Sequence, residues 1–404
     1  MKPRYILLLG VLAHLLLQLG PIWPDVRDNR SGRDFASYYY ALQATSHDMD
    51  PYNTGQLTQL AEADGTRHSV NPYFYPPPFL FTMVWASGLD LHAAYVGMLF
   101  VNELLLAACL GVMVLGFEVS LPVVALILAA WTPIPDHARM GQANLLALLP
   151  ALLGLWAARR RESLGGALIG VAGMLKMSPA LFLIHLAMQR RWKAVAAAVG
   201  TAVALSLAAL PLVPLDQQIR FYTRILPGFG TGDYNGLTVP ITLPANHSWP
   251  DLLNRAFPSG GDLLSPTAQA LSNVSLLGSL ALWAWWFRGP QPPRQEALAL
   301  GALSLLMVAL PVYTYEHHLV FLILMAGAVG TAATTVRRKI LFGICFFFLA
   351  WPLDWLRAAQ HVLPRFLNAP LRESKFMAEV GFLLLCARWY RQDQAASGAE
   401  AVPP

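Results

Sequence analysis

Twelve apolar stretches, divided by polar loops, decide most of what this chain can become. They cover residues 5–23, 92–116, 119–133, 143–158, 164–175, 177–189, 194–213, 269–287, 296–313, 317–335, 340–356 and 375–390. A helix of about 20 apolar residues crosses a bilayer, with some tolerance for length. The expectation is an all-α, polytopic integral membrane protein of about twelve transmembrane helices, several short enough to be tilted or broken. Composition agrees: of 404 residues, 56% are hydrophobic and 13% charged, where soluble domains carry about 25% charge.

Lys and Arg in short loops set the orientation. The basic clusters are Lys2/Arg4, Arg159-Arg160-Arg161, Arg190-Arg191-Lys193, Arg288/Arg294, Arg337-Arg338-Lys339 and Arg388/Arg391. With the N-terminus inside, all of them fall on the cytoplasmic side under this count, and both termini are cytoplasmic. The net charge of +5 is therefore a topology signal and implies no nucleic-acid partner. The first stretch could be a signal peptide, but Pro21-Ile22-Trp23-Pro24 lacks the small-residue cleavage pattern, so it is expected to be retained. Cys109, Cys345 and Cys386 all lie in apolar stretches and form no disulfide framework or CxxC site.

Two conditions keep the count consistent. Pro76–Leu89 must enter and leave on one side, as a re-entrant or surface helix. Residues 164–189 must be a helical pair hinged near Lys176-Met177-Ser178-Pro179, because a single span would separate Arg161 from Arg190. A single transmembrane domain, 1–390, then carries two long outer loops, 24–76 and 214–267, and ends in a cytoplasmic tail, 391–404, expected to be disordered. Segments such as Asp34–Thr45 suit short amphipathic helices at the interface. No internal repeat is evident, which argues against an inverted-repeat transporter.

Six polar clusters fall on the outer face, where polar groups near lipid are costly unless partnered or functional. Asp34 either takes a proton from an attacking hydroxyl or caps the helix that follows. In Asn71–Pro78, Tyr73 and Tyr75 either stack on a sugar or belong to the interfacial aromatic belt. In Arg139–Asn144, Gln142 and Asn144 can bond sugar hydroxyls and Arg139 can hold a phosphate; capping and snorkelling are the structural alternatives. Lys176 interrupts a nearly apolar run and calls for an anionic partner. In Asn246–Arg255, Arg255 is a second phosphate ligand candidate, and Asn246 opens a weak N-x-Ser pattern. Glu316-His317-His318 begins a span. Adjacent helical residues diverge by roughly 100°, so the two histidines are poorly placed to chelate one ion; one suits hydrogen bonding or proton shuttling, the other a structural role.

These clusters, in this order, resemble glycosyltransferase family 87. The matching elements are Arg33-Asp34-Phe35, Asp50-Pro51-Tyr52, Tyr75-Pro76-Pro77, Gly141-Gln142-Ala143-Asn144, Lys176 before Pro179, Asn246-His247-Ser248 ahead of Arg255, and Glu316-His317-His318. They cover about residues 1–335; each motif alone is unspecific, the ordered set much less so. The resemblance implies a GT-C-like fold in a bacterial plasma membrane with its site facing outward. It implies a polyprenyl-phosphate sugar donor, most often mannose, and a glycolipid or glycan acceptor. Asp34 would be the base, assisted by His317 or His318. Lys176, Arg255 and Arg139 would hold the donor phosphate, and Tyr75, Gln142, Asn144, Asn246 and Glu316 the sugar or acceptor. Many GT-C enzymes carry an acidic pair in the first loop; here Asp34 stands with only the more distant Asp48 and Asp50, so no metal is expected, and no cofactor. The rival class is a transporter or flippase of lipid-linked sugar. The long first outer loop, with Asp34 beside a rigid aromatic turn, favours the enzyme.

Overall fold

The computed structural model describes residues 3–352 except 238, 244 and 290, then 362, 364, 371 and 373–400. Among them every regular element is helical. Helix α1 (Pro3–Arg27) leads to α2 (Arg33–Ser46), α3 (Thr54–Ala63) and a 3₁₀ helix, Pro77–Ala86. Then come α4 (Leu91–Phe117), α5 (Leu121–Ala130), α6 (Pro133–Met140), α7 (Asn144–Ala158) and α8 (Glu162–Leu175). A 3₁₀ turn, Ser178–Leu181, joins α8 to α9 (Phe182–Met188). Helices α10 (Trp192–Ala208) and α11 (Leu215–Arg220) lead through a π turn to α12 (Leu226–Gly228) and α13 (Trp249–Ala256). Next are α14 (Pro266–Trp286), α15 (Pro293–Ala309), the 3₁₀ helix Glu316–Leu322, α16 (Ile323–Ala332), α17 (Val336–Ala350) and α18 (Ser374–Glu400).

Helix α15 is apolar around its circumference and is buried from Gln295 to Ala309, as such a helix must be. Helices α4, α9, α14, α16 and α18 pack around it. Lipid supplies little hydrophobic drive between helices, so small residues that let backbones approach matter more. Gly165 and Gly166 serve this purpose: a β-carbon on either would collide with Ala158 or with the Ala194 carbonyl. They seat α8 between α7 and α10.

A second core lies in the two long loops, 24–76 and 214–267, and the helices beside them. Phe35, Tyr38, Tyr40, Tyr73 and Phe79 are almost wholly buried there. Tyr52 stacks on Phe221 of the second loop at 5.4 Å, and Asn235 donates to the Tyr52 and Tyr73 carbonyls at 2.9 Å. The two outer loops are thus one packed unit.

Each of the twelve stretches is helical over most of its described length, although 353–356 lie outside the described residues. Among the described residues only α1 and α4 are long and apolar enough to span alone, with α5 and α6, bent by 57°, forming a third if taken together. Short helices arise because breaks fall where the backbone is needed for other purposes, at Lys176 and at Gly141 above all. Residues 77–86 form a short 3₁₀ helix. Residues 34–45 are helical, but α2 is a core helix with nine buried residues, not one lying at an interface. Tyr73 and Tyr75 likewise belong to this core and not to an interfacial belt.

Candidate active site

Two glycines bring the first outer helix to the end of α6. Gly32 precedes α2, and a β-carbon on it would strike the Met140 carbonyl. Gly141 ends α6 at φ +65, and a β-carbon there would lie 2.5 Å from Phe35 Cβ. Glycine alone tolerates both the left-handed backbone and the approach. Asp34 and Gln142 are thereby set face to face.

Asp34 sits in the first turn of α2, where the N-cap is Gly32 with no side-chain capping bond. Its carboxylate receives side chains instead: Gln142 Nε2 donates to Oδ2 at 2.5 Å and Asn71 Nδ2 to Oδ1 at 3.0 Å. Gln142 Oε1 accepts from the Tyr38 and Tyr75 hydroxyls at 3.2 and 3.3 Å, and those hydroxyls lie 2.7 Å apart. The carboxylate is oriented by two amides, and each oxygen keeps acceptor capacity.

Lys176 lies in the break between α8 and the following 3₁₀ turn, with extended backbone. Its Nζ donates to Asn144 Oδ1 at 2.5 Å and lies 5.6 Å from the Tyr75 ring centre and 5.8 Å from that of Phe321. Asn144 in turn donates to the His317 carbonyl at 2.7 Å. Burial pushes the Lys176 ammonium down to about 7, against the opposing pull of Asp34. A buried lysine whose hydrogen-bond partner is neutral leaves its charge uncompensated, which an anion could balance.

These groups border a cavity of about 1340 Å³. Asp34, Tyr75, Arg139, Gln142, Lys176, Glu316, His317 and His318 all line it. Its apolar walls come from Leu17 and Pro21 of α1 on one side, and from Ile184, Leu276 and Leu306 of α9, α14 and α15 on another. His317 Nδ1 stands 3.5 Å from Asp136 Oδ2. His318 Nδ1 accepts from the Tyr315 N–H at 3.1 Å, fixing the turn. Among the described residues no group of three or more His, Cys, Asp or Glu is placed to hold a metal ion.

The Asn246–Arg255 cluster is placed differently. Arg255 lies outside this cavity, bordering a smaller one of about 420 Å³. Its guanidinium is engaged by Asp251 at 2.6 Å and by Glu373 at 2.6 and 3.1 Å. Asn246 is buried and spends its amide on backbone: it donates to the Ile241 and Val312 carbonyls and accepts from Ser248 and Thr314. It shapes the outer loop. Arg139 lines the cavity but is half-exposed and paired with Asp25 at 3.1 Å. Asn144 does not line the cavity and acts through Lys176.

Tyr38 and Asp136 stand outside the polar clusters of the sequence, while Asn71 and Arg33 stand within them without an assigned role. Asn71 and Tyr38 fix Asp34 and Gln142; their polar or aromatic neighbours hinted at both. Arg33 and Asp136 line the cavity, and Asp136 lies in the same outer segment as Arg139.

An apolar helical body around a cavity with a carboxylate, a lysine and two histidines in its walls defines a membrane protein with an internal polar site. The chain belongs to glycosyltransferase family 87, whose sequence model matches residues 73–311, more than half its length. Asp34 precedes the matched residues and Glu316–His318 follow them. A protein of Mycolicibacterium smegmatis is 28% identical over 284 residues, 67% of this chain and 63% of its own. It is named polyprenol-phosphate-mannose-dependent alpha-(1-2)-phosphatidylinositol pentamannoside mannosyltransferase. A protein of the same name from Mycobacterium tuberculosis is 26% identical over 326 residues, 76% of this chain and 69% of its own. The chain thus matches somewhat less than two thirds of the length of the first of these relatives. No solved structure matches the chain significantly.

Proposed function

We propose that this protein transfers a hexose, mannose, from a polyprenyl-phosphate donor to a hydroxyl of a glycolipid or glycan acceptor at the extracytoplasmic face of a bacterial plasma membrane. The names of the two relatives support the donor and a glycolipid acceptor. The observation that carries the reading is that Asp34, held by Gln142 and Asn71, shares one cavity with Lys176. The basic loops support the orientation of this reading, with both termini cytoplasmic and the cavity at the outer surface.

In this reading Asp34 accepts the acceptor's proton as its oxygen attacks the anomeric carbon. The bond from that carbon to the phosphate oxygen breaks, and polyprenyl phosphate leaves with the bonding pair. A single displacement inverts the anomeric carbon. Lys176, with Arg139 at the rim, stabilises the charge gathering on the phosphate. Arg255, engaged by two carboxylates, takes no part in phosphate binding. Glu316, Tyr75 and Gln142 face the sugar, and His317 hydrogen-bonds or relays a proton beside Asp136. The leaving group is a lipid phosphate, so the reaction needs no nucleotide-binding loop.

The test is transfer from radiolabelled polyprenyl-phosphate mannose to host glycolipid extract by the purified protein in nanodiscs. A labelled lipid product formed by wild type and lost in Asp34→Asn supports the reading. Donor flipping across liposomes with no transfer from any polyprenyl-phosphate sugar overturns it.

A further inference from the structure

Helix α18 lies beyond the residues that the family model matches, yet it sends a cation to the wall of the site. Lys375, in its first turn, has a wholly buried side chain. Its Nζ donates to Glu316 Oε1 at 2.7 Å and to the Leu349 carbonyl at 2.8 Å. Glu316 opens the 3₁₀ helix that carries His317 and His318, and it lines the cavity. On its other side His247 Nε2 stands 3.5 Å from Oε2.

A carboxylate so enclosed stays ionised only when a cation is close, because burial disfavours the charged form. One turn along α18, Glu379 is also wholly buried, and neither of its oxygens has a hydrogen-bond partner among the described residues. Lys375 therefore stands between two acids and bonds the one that borders the cavity. The same end of α18 grips the second outer loop. Glu373 binds Arg255, and Phe376 stacks on Trp249 at 5.6 Å.

We propose that Lys375 is a positioning residue for sugar recognition: it holds Glu316 as an ionised, fixed acceptor of sugar hydroxyls in the cavity wall. The inference rests on the glycosyltransferase reading above. An ionised carboxylate accepts hydrogen bonds only; a protonated one would donate as well, and its turn would be free to shift. Removing Lys375 thus damages recognition through Glu316, without touching substrate itself.

The experiment compares Lys375→Met, Glu316→Gln and the double variant with wild type in nanodiscs. Three readouts are thermal stability, kcat/KM for transfer, and binding of polyprenyl phosphate with and without its sugar. Lys375→Met should be less stable, since it strands a buried carboxylate. The double variant should regain that stability, yet both it and the single variants should lose about tenfold or more in kcat/KM, as expected when a hydrogen bond to a charged group is lost. The losses should not multiply, since both substitutions abolish one function. Polyprenyl phosphate lacking a sugar should bind all four proteins equally, while the sugar-bearing donor binds the variants more weakly. If the double variant regains both stability and transfer, Lys375 is a structural pair-mate only and the inference is overturned. It is also overturned if Lys375→Met transfers as well as wild type. A wild type that binds polyprenyl phosphate but never transfers sugar would instead defeat the glycosyltransferase reading.

Discussion

The Gln142 side-chain amide donates to Asp34 at 2.5 Å while its carbonyl end accepts from the Tyr38 and Tyr75 hydroxyls. One residue thereby ties the carboxylate of the first outer loop to the aromatic core beneath it. The direction of the bonds matters. Asp34 receives donors from Gln142 and Asn71, which fix the direction in which its oxygens face.

Asp34→Asn keeps the size of the side chain and cannot take a proton from the acceptor. Transfer should fall by about 10²–10⁴-fold, the usual contribution of a general base, with donor binding retained. Gln142→Leu leaves the base in place but frees it, and should cost about 10- to 100-fold in kcat, the worth of one hydrogen bond to a charged group. Single-turnover transfer measures both. Activity within a few-fold of wild type in Asp34→Asn would move the base to His317 or His318.

Gly141→Ala tests the backbone junction behind that pair. Its φ of +65 and the 2.5 Å approach to Phe35 both oppose a β-carbon. The left-handed backbone alone costs about 1–2 kcal/mol in a residue other than glycine. The variant should melt several degrees below wild type and lose transfer as Asp34 and Gln142 separate. An unchanged melting temperature would show that the junction yields without cost.

The fold was legible where polar residues broke apolar runs. Lys176 marked the hinge between α8 and α9 because charge inside an apolar run has no bland explanation. Lys375 gives a weaker signal, since it stands at the edge of its apolar stretch, where a charge is ordinary. Tyr73 and Tyr75 suit an aromatic belt as well as a core, and only packing against Tyr52 and Phe79 settles the matter. The neighbours of Asp34 could not be read in advance, because the approach of Gly32 to Met140 joins segments over a hundred residues apart. The same holds for Arg255, whose partner Glu373 lies 118 residues along the chain.

That pairing separates stability from phosphate binding. Arg255→Ala removes contacts to Asp251 and Glu373 that join α13 to the start of α18. It should cost about 1.5–3 kcal/mol in stability, as for a charge-assisted hydrogen bond, and shift the melting temperature accordingly. Affinity for polyprenyl phosphate should stay within about twofold, less than one hydrogen bond's worth. A large loss of that affinity in a well-folded variant would return Arg255 to the donor site.

The orientation is open to direct test. Ser69 and Ser163 are both exposed and, on the basic-loop argument, lie on opposite sides of the membrane. In a background with Cys109, Cys345 and Cys386 replaced, Ser69→Cys should react with an impermeant thiol reagent in intact cells. Ser163→Cys should react only after permeabilisation. Equal labelling from outside would invert or break the topology, and the outward-facing site with it.

Lys176 should give donor binding a particular dependence on pH. Its ammonium is pushed down to about 7 by burial, with Asp34 opposing. The donor's phosphodiester keeps its charge across the neutral range, so the lysine is the partner that changes. Only the protonated form attracts the phosphate. Affinity should therefore be greatest below pH 7 and fall as pH rises through that value, approaching tenfold per pH unit once the free lysine is mostly neutral. Bound phosphate stabilises the ammonium and raises its pKa in the complex, so bound donor should protect against deprotonation. Asp34, His137, His317 and His318 surround the same region and are common to every variant, so the comparison must be between proteins. Lys176→Met should bind weakly with a flat profile over pH 6–9. Lys176→Arg, charged throughout, should also be flat but nearer to the affinity of wild type at low pH, subject to its different donor geometry. The measurement is a donor-binding isotherm at each pH with polyprenyl phosphate mannose in nanodiscs. A wild-type profile that Lys176→Met reproduces in shape and strength would remove the lysine from the phosphate site.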